Sequence, residues 1–154
     1  MKFRMKLVAL AAMLPLMGAE PAGFKYWSAA QMLETERALA PKMSALKVAS
    51  VSGGNFGNHS ALLLHREASG QAELHIHQAD LMVIQSGTAT LVVGGAIPQS
   101  RHTSRDEIRG PSIRGGTEQK ISAGDIIHVP ANTPHQLLLD PGHQLNYFTL
   151  KVNE

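Results

Sequence analysis

The stretch "ELHIHQADLMVIQSG", Glu73 to Gly87, decides how this chain is read. A β-strand sends alternate side chains to opposite faces, so Glu73, His75 and His77 are expected to point the same way. Asp80 follows at once, and Met82 and Ile84 share its parity. A polar floor beneath an apolar wall is therefore expected on one side of the strand. With 8 histidines in 154 residues, a single His-x-His pair is a weak signal, and the rest of the chain has to add to it.

Outward from this stretch the chain reads as short apolar runs between turns: "SALLLHRE", "AELHIH", "DLMVIQSG", "TATLVVGG", "QKISAGDIIHVP", "HQLLLDPG" and "QLNYFTLKV". Most of the 14 glycines and 8 prolines are spread through the second two-thirds, punctuating these runs and favouring an all-β sandwich or barrel. One exception precedes them. In "WSAAQMLETERALAPK", Ser28 can cap a helix starting at Ala29 and Pro41 can stop it, with Met32, Leu33, Glu36 and Leu39 along one side. One connection is long: from Ala96 to Glu118 no periodicity is evident, and four arginines (Arg101, Arg105, Arg109, Arg114) are mixed with Asp106, Glu107 and Glu118. A solvated mixed-charge loop and an anion clamp over a barrel mouth both fit that composition.

A second stretch completes the first. "GDIIHVPANTPH" runs from Gly124 through Pro130 and Asn132 to His135, while six residues separate Asp80 from Gly87. Together the two stretches resemble the paired motifs of the cupin family. The first of these reads Gly, five residues, His-x-His, three or four residues, Glu, six residues, Gly. The second reads Gly, five residues, Pro-x-Gly, two residues, His, three residues, Asn. The likeness extends from about Ala61 to Val152, and it departs from the pattern in places. Gly70 stands four residues before His75, two residues separate His77 from Asp80, Asn132 replaces a glycine, and Leu139 stands where the last asparagine would be. Asparagine tolerates the positive φ that such a turn asks of glycine.

The resemblance implies an all-β, cupin-type jelly-roll β-barrel, here with a short N-terminal helix. It also implies that His75, His77 and His135 are metal ligands with Asp80 as the fourth. Glu73 offers an alternative carboxylate from the same strand face. Such a nitrogen and oxygen set suits one divalent transition-metal ion (Fe, Mn, Ni, Zn or Cu), with positions left open for water or substrate. The absence of cysteine excludes thiolate ligands and disulfides. Met82, Arg109 and His128 are the expected substrate contacts, although His128 has the parity of Ile126 and fits the surface equally well. His59, His65, His102 and His143 are read as solvated.

Residues 1–19, "MKFRMKLVALAAMLPLMGA", have a basic head, an apolar stretch from Leu7 to Met17 and small residues after it. That is the form of a secretory signal, so the mature protein is expected to be secreted or periplasmic, without a stable membrane span. Residues 20–47 then form a helical extension and 48–154 the barrel. Loss of Lys2, Arg4 and Lys6 takes the formal charge from +2 to −1, so the basic pI belongs to the targeting segment and no nucleic-acid surface is expected.

The function expected is that of an exported metal-binding cupin that acts on, or binds, a small organic molecule, neutral or anionic, at a histidine-rich site inside the barrel. A metal-dependent oxygenase or isomerase is the enzymatic form of that reading. The alternative is a non-catalytic module that binds a sugar or organic acid, or a structural dimer. A homodimer is expected in either case. No Ser-His-Asp spacing, phosphate loop or paired glutamates single out a catalytic residue.

Overall fold

Gly87 is the pivot of the fold. Its φ is +85°, and a Cβ added there would fall 1.9 Å from the carbonyl oxygen of Gln144, so no other residue fits. The turn it permits lets one continuous strand, Gln78–Val93, leave one sheet and enter another. The computed structural model describes residues 19–154; the expected signal segment lies outside the described residues except for Ala19.

The described residues form one α-helix, α1 (Ala29–Leu39), and ten strands: β1 (Val48–Asn55), β2 (His59–Arg66), β3 (Ala72–His75), β4 (Gln78–Val93), β5 (Arg101–Ser104), β6 (Glu107–Gly110), β7 (Thr117–Ser122), β8 (Ile126–Val129), β9 (His135–Leu138) and β10 (Leu145–Asn153). All pairings are antiparallel. One sheet runs β1, β2, β10, the first part of β4, then β8. The other runs β7, the second part of β4, β9, β3, β6, β5. The shared strand curls the two into a jelly-roll barrel, as expected.

Between the sheets lies the main core, built around Ile84, Leu91, Ile121, Val129, Leu137 and Leu145. Each such side chain contributes roughly 1.5–3 kcal/mol by leaving water. Alternation along the strands decides who faces inward: on β4 Asp80, Met82 and Ile84 are buried while Leu81 and Val83 are only partly so. The helix begins where Ser28 caps it, in a capping box with Gln31, and gives way at Ala40–Lys42 to a short 3₁₀ turn containing Pro41. It covers the outer face of the sheet, where Leu39, Ala49 and Leu63 are buried and Met32, Met43 and Phe148 close around them.

Three expectations need correction. The runs "DLMVIQSG" and "TATLVVGG" are one strand rather than two, because Gly87 bends the chain without ending it. The long connection is not featureless: Ala96 and Arg114 bridge its base, and β5 and β6 pair as a hairpin. β5 is exposed at all four positions, which hides its period. His65 is not solvated. Only 1% exposed, it lies beneath the helix side of the sheet, its Nδ1 2.7 Å from Asn146 Oδ1 and its Nε2 3.2 Å from Glu67 Oε1.

Candidate functional site

The register of the sheets assembles a cluster from five strands. In one sheet Glu73 on β3 lies opposite His135 on β9 and opposite Arg109 on β6, so the three form one cross-strand row. In the facing sheet Asp80 on β4 is paired with Lys151 on β10. Ligand atoms of Glu73, His75 and His135 all come within 4.8 Å of one another. Asp80 joins them: its Oδ2 is 3.4 Å from His75 Nε2 and 3.5 Å from His135 Nε2. Both histidines and Asp80 are 5% exposed, so the cluster sits inside the barrel.

Each member is held by a specific contact. His135 donates Nδ1–H to the carbonyl of Thr133 at 3.0 Å, which aims Nε2 at the cluster. Asn132 takes φ +56° and donates its N–H to the carbonyl of His75 at 2.7 Å, so the turn of the second motif is tied to the histidine of the first. Arg109 Nη1 donates to Glu73 Oε1 at 3.0 Å, leaving Oε2 3.7 Å from His75 Nε2. The other end of the Arg109 guanidinium pairs with Glu107.

The sequence-derived residues thus separate. His75, His135, Asp80 and Glu73 come together; His77 does not. β3 ends at His75, Ile76 donates its N–H to the carbonyl of Asp106, and the chain bends through 76–77 before β4. The alternation that would aim His77 inward stops two residues too soon, and its side chain is exposed. The short spacing between His77 and Asp80 is the local cause: two residues leave no loop in which the chain could continue the strand and still turn. His128 is exposed as well, on the outer face with Ile126, so it is not a cavity contact. Met82 and Arg109 both line the cavity.

Lys151 was not legible as a site residue. Its Nζ lies 2.7 Å from His75 Nε2 and 2.9 and 3.2 Å from the two Asp80 oxygens. An ammonium has only donors, so His75 Nε2 accepts this bond. The signal for Lys151 was nonlocal: it faces Asp80 only because of the β4–β10 register.

Charge in the cluster follows from these contacts. Burial by itself raises the Asp80 carboxyl, but the hydrogen bond from His135 and the contacts of His75 and Lys151 outweigh it, and the group is held far below the ordinary carboxylate range. Burial lowers His135, yet the Asp80 hydrogen bond, the Thr133 carbonyl and the charges of Asp80 and Glu73 more than compensate, and its net shift is upward. Burial raises Tyr147 on the neighbouring wall, against the pull of Arg66.

The donor chemistry fits a divalent transition metal. Two imidazole nitrogens and two carboxylates converge in a buried volume, no thiolate is involved, and Asp80 and His75 already hold a positive charge there, the ammonium of Lys151. Beside the cluster a cavity of about 270 Å³ opens, with Leu62, Leu64, Met82 and Tyr147 on its apolar side and Asp80, Glu73 and His135 on its polar side.

The sequence matches no family profile and no curated relative. In solved structures the architecture recurs. A recombinant oxalate oxidase in complex with glycolate aligns with a TM-score of 0.52 at 10% identity, over 71% of this chain and 53% of the other. The polyketide cyclase RemF from Streptomyces resistomycificus gives 0.51 at 13% identity, over 70% and 66%. KdgF from Halomonas sp. gives 0.50 at 14% identity, over 70% and 82%. This chain therefore spans about two thirds of the cyclase and about half of the oxalate oxidase. At these identities the likeness is one of fold, and that fold is the cupin-type jelly-roll barrel.

Proposed function

We propose that this protein is an exported cupin that holds one divalent transition-metal ion with His75, His135 and the carboxylates of Asp80 and Glu73, and that it binds and transforms a small organic molecule in the adjoining cavity. The observation that carries the reading is the convergence of Glu73, His75 and His135 within 4.8 Å, deep in the barrel. The solved structures of similar fold include proteins named for small-molecule chemistry, among them an oxidase and a cyclase, which supports the same class of role. Export rests on the form of residues 1–19, and association of two copies on the common pairing of such barrels.

When bound, the ion supplies Lewis-acid polarisation and, if iron or copper, redox capacity. The chain's own residues do the rest. Thr133 fixes the tautomer of His135, and Arg109 fixes one oxygen of Glu73 so that the other faces the cluster. Leu62, Leu64 and Met82 exclude water from one side of the cavity. Lys151 has to leave His75 Nε2 for that nitrogen to serve as a ligand, and the freed ammonium is then placed to donate a proton or hydrogen bond beside the cavity.

The same lysine favours a second reading, in which its ammonium is the permanent cation and the barrel binds its ligand without metal. Elemental mass spectrometry on mature protein purified without chelator separates the two. Near-stoichiometric metal that disappears in a His75→Ala, His135→Ala double variant supports the metal reading. No metal in either protein, even after reconstitution, removes it.

A further inference from the structure

Among the described residues, one positive charge on the inner wall of the barrel has no ion-pair partner. Arg66, at the end of β2, is 8% exposed, and it lines the cavity on the same strand face as Leu62 and Leu64. Its Nε has no hydrogen-bond partner, and it makes no ion pair among the described residues. The other cations of the cavity are matched: Lys151 is paired with Asp80, and Arg109 with Glu73 and Glu107. The guanidinium lies beside the phenol of Tyr147, a neutral group that burial keeps protonated.

A second buried group lies unpartnered on the same wall. Thr149 Oγ1, on β10, has no hydrogen bond although the residue is 3% exposed, and it lines the same cavity. Gly70 makes the space for the guanidinium: a Cβ there would fall 2.8 Å from Arg66 Nη1. Buried charges are retained when they are paired, and a guanidinium with no carboxylate partner beside a phenol hydroxyl is short of one thing, an anion with in-plane oxygens.

We infer that the cavity takes a small organic acid, with its carboxylate on Arg66 and Tyr147 and its remaining part along Leu62, Leu64, Met82 and the unpartnered Thr149 hydroxyl, reaching towards the histidine cluster. The inference rests on the reading of the barrel as a small-molecule site and names the class of molecule. A cavity of about 270 Å³ has room for an acid of modest size and one carboxylate subsite. The arginine of the β5–β6 region that the sequence pointed to, Arg109, is occupied by two carboxylates of the chain itself; the free one is Arg66.

The test uses pyruvate and benzoate, each against its neutral amide, in titrations of the full mature protein followed by calorimetry and by the ¹⁵N-resolved Nε–H signal of arginine. Variants are Arg66→Met, Arg66→Lys and Tyr147→Phe, and each titration is run on the protein as purified and after chelator treatment. The expected result is that at least one acid binds tenfold or more tightly than its amide, shifts the Arg66 Nε–H signal, and loses that preference in Arg66→Met while Arg66→Lys retains only part of it. Arg66→Met is expected to show no rise in Tm when the acid is added, whereas the parent does. Acids that bind Arg66→Met as well as the parent, or no better than their amides, overturn the inference. Acid binding that depends on metal and ignores Arg66 overturns it while leaving the metal reading intact. Acid binding that needs Arg66 in a protein that holds no metal upholds it and removes the metal reading instead.

Discussion

Lys151 places its ammonium 2.7 Å from Nε2 of His75, on the lone pair a metal ion would use. Ammonium and metal cannot share that nitrogen, so the lysine sets the affinity of the site. Replacing it by methionine, which keeps the aliphatic stem and removes the charge, should raise affinity for Zn²⁺ or Mn²⁺ by roughly tenfold or more, the scale on which charge and hydrogen-bonding neighbours of ligands act. Calorimetric titration of parent and Lys151→Met would read it. Equal affinities would mean that the ammonium does not compete.

The same contacts predict how the metal-free protein responds to pH. Asp80 is lowered from its ordinary 3.8, so its stabilisation is full above that value and is lost as pH falls further towards the depressed one. His135 is raised from 6.5, so its contribution is full below 6.5 and is lost as pH climbs through the raised value. Stability from this pair is therefore greatest between pH 3.8 and 6.5. Melting curves from pH 3 to 9 should show a fall on the alkaline side that His135→Gln makes shallower; an identical fall in the variant would place its origin elsewhere.

Gly87 predicts a stability effect with no chemistry in it. Gly87→Ala combines a φ of +85° with a Cβ driven onto the Gln144 carbonyl, and the backbone of two strands has to shift to admit it. A loss of about 3 kcal/mol or more is expected from denaturant unfolding. Asn132 is the contrasting case. Its φ of +56° is already tolerated, and Asn132→Gly should change stability by less than about 1 kcal/mol, whereas Asn132→Val should cost about 1–2 kcal/mol.

His77 separates the motif from the site. Its exposed side chain lies past the end of β3, so His77→Ala should keep the metal content of the parent while His135→Ala loses most of it. Loss of metal in both would mean that the turn at 76–77 rearranges when metal binds.

What was legible in the sequence was local. Ser28 and Pro41 bound the helix because capping and helix-breaking act within a few residues. Gly87, Asn132, His75 and His135 were legible as a spaced pattern, and β4 carries Asp80, Met82 and Ile84 on one face because a strand repeats every two residues. The errors come where that period was extended past a strand end, at His77, or where either face was open, at His128. Lys151 and Arg66 escaped notice for a different reason. Neither belongs to a motif, and each acquires meaning only from register: Lys151 from standing opposite Asp80, Arg66 from ending the inward face of β2 where it forms no ion pair among the described residues. The burial of His65 likewise depends on β10 bringing Asn146 alongside it.

The central claim is that two histidines and the facing carboxylates form a cation site in which Lys151 and a metal are alternatives. A crystal structure of the mature protein soaked with Mn²⁺, with anomalous data, tests it most directly. The account predicts an anomalous peak about 2.0–2.3 Å from Nε2 of His75 and of His135 and from a carboxylate oxygen, with Lys151 withdrawn and His77 uninvolved. A Lys151 ammonium still seated on His75 and Asp80, with no anomalous peak inside the barrel at saturating Mn²⁺, would contradict it.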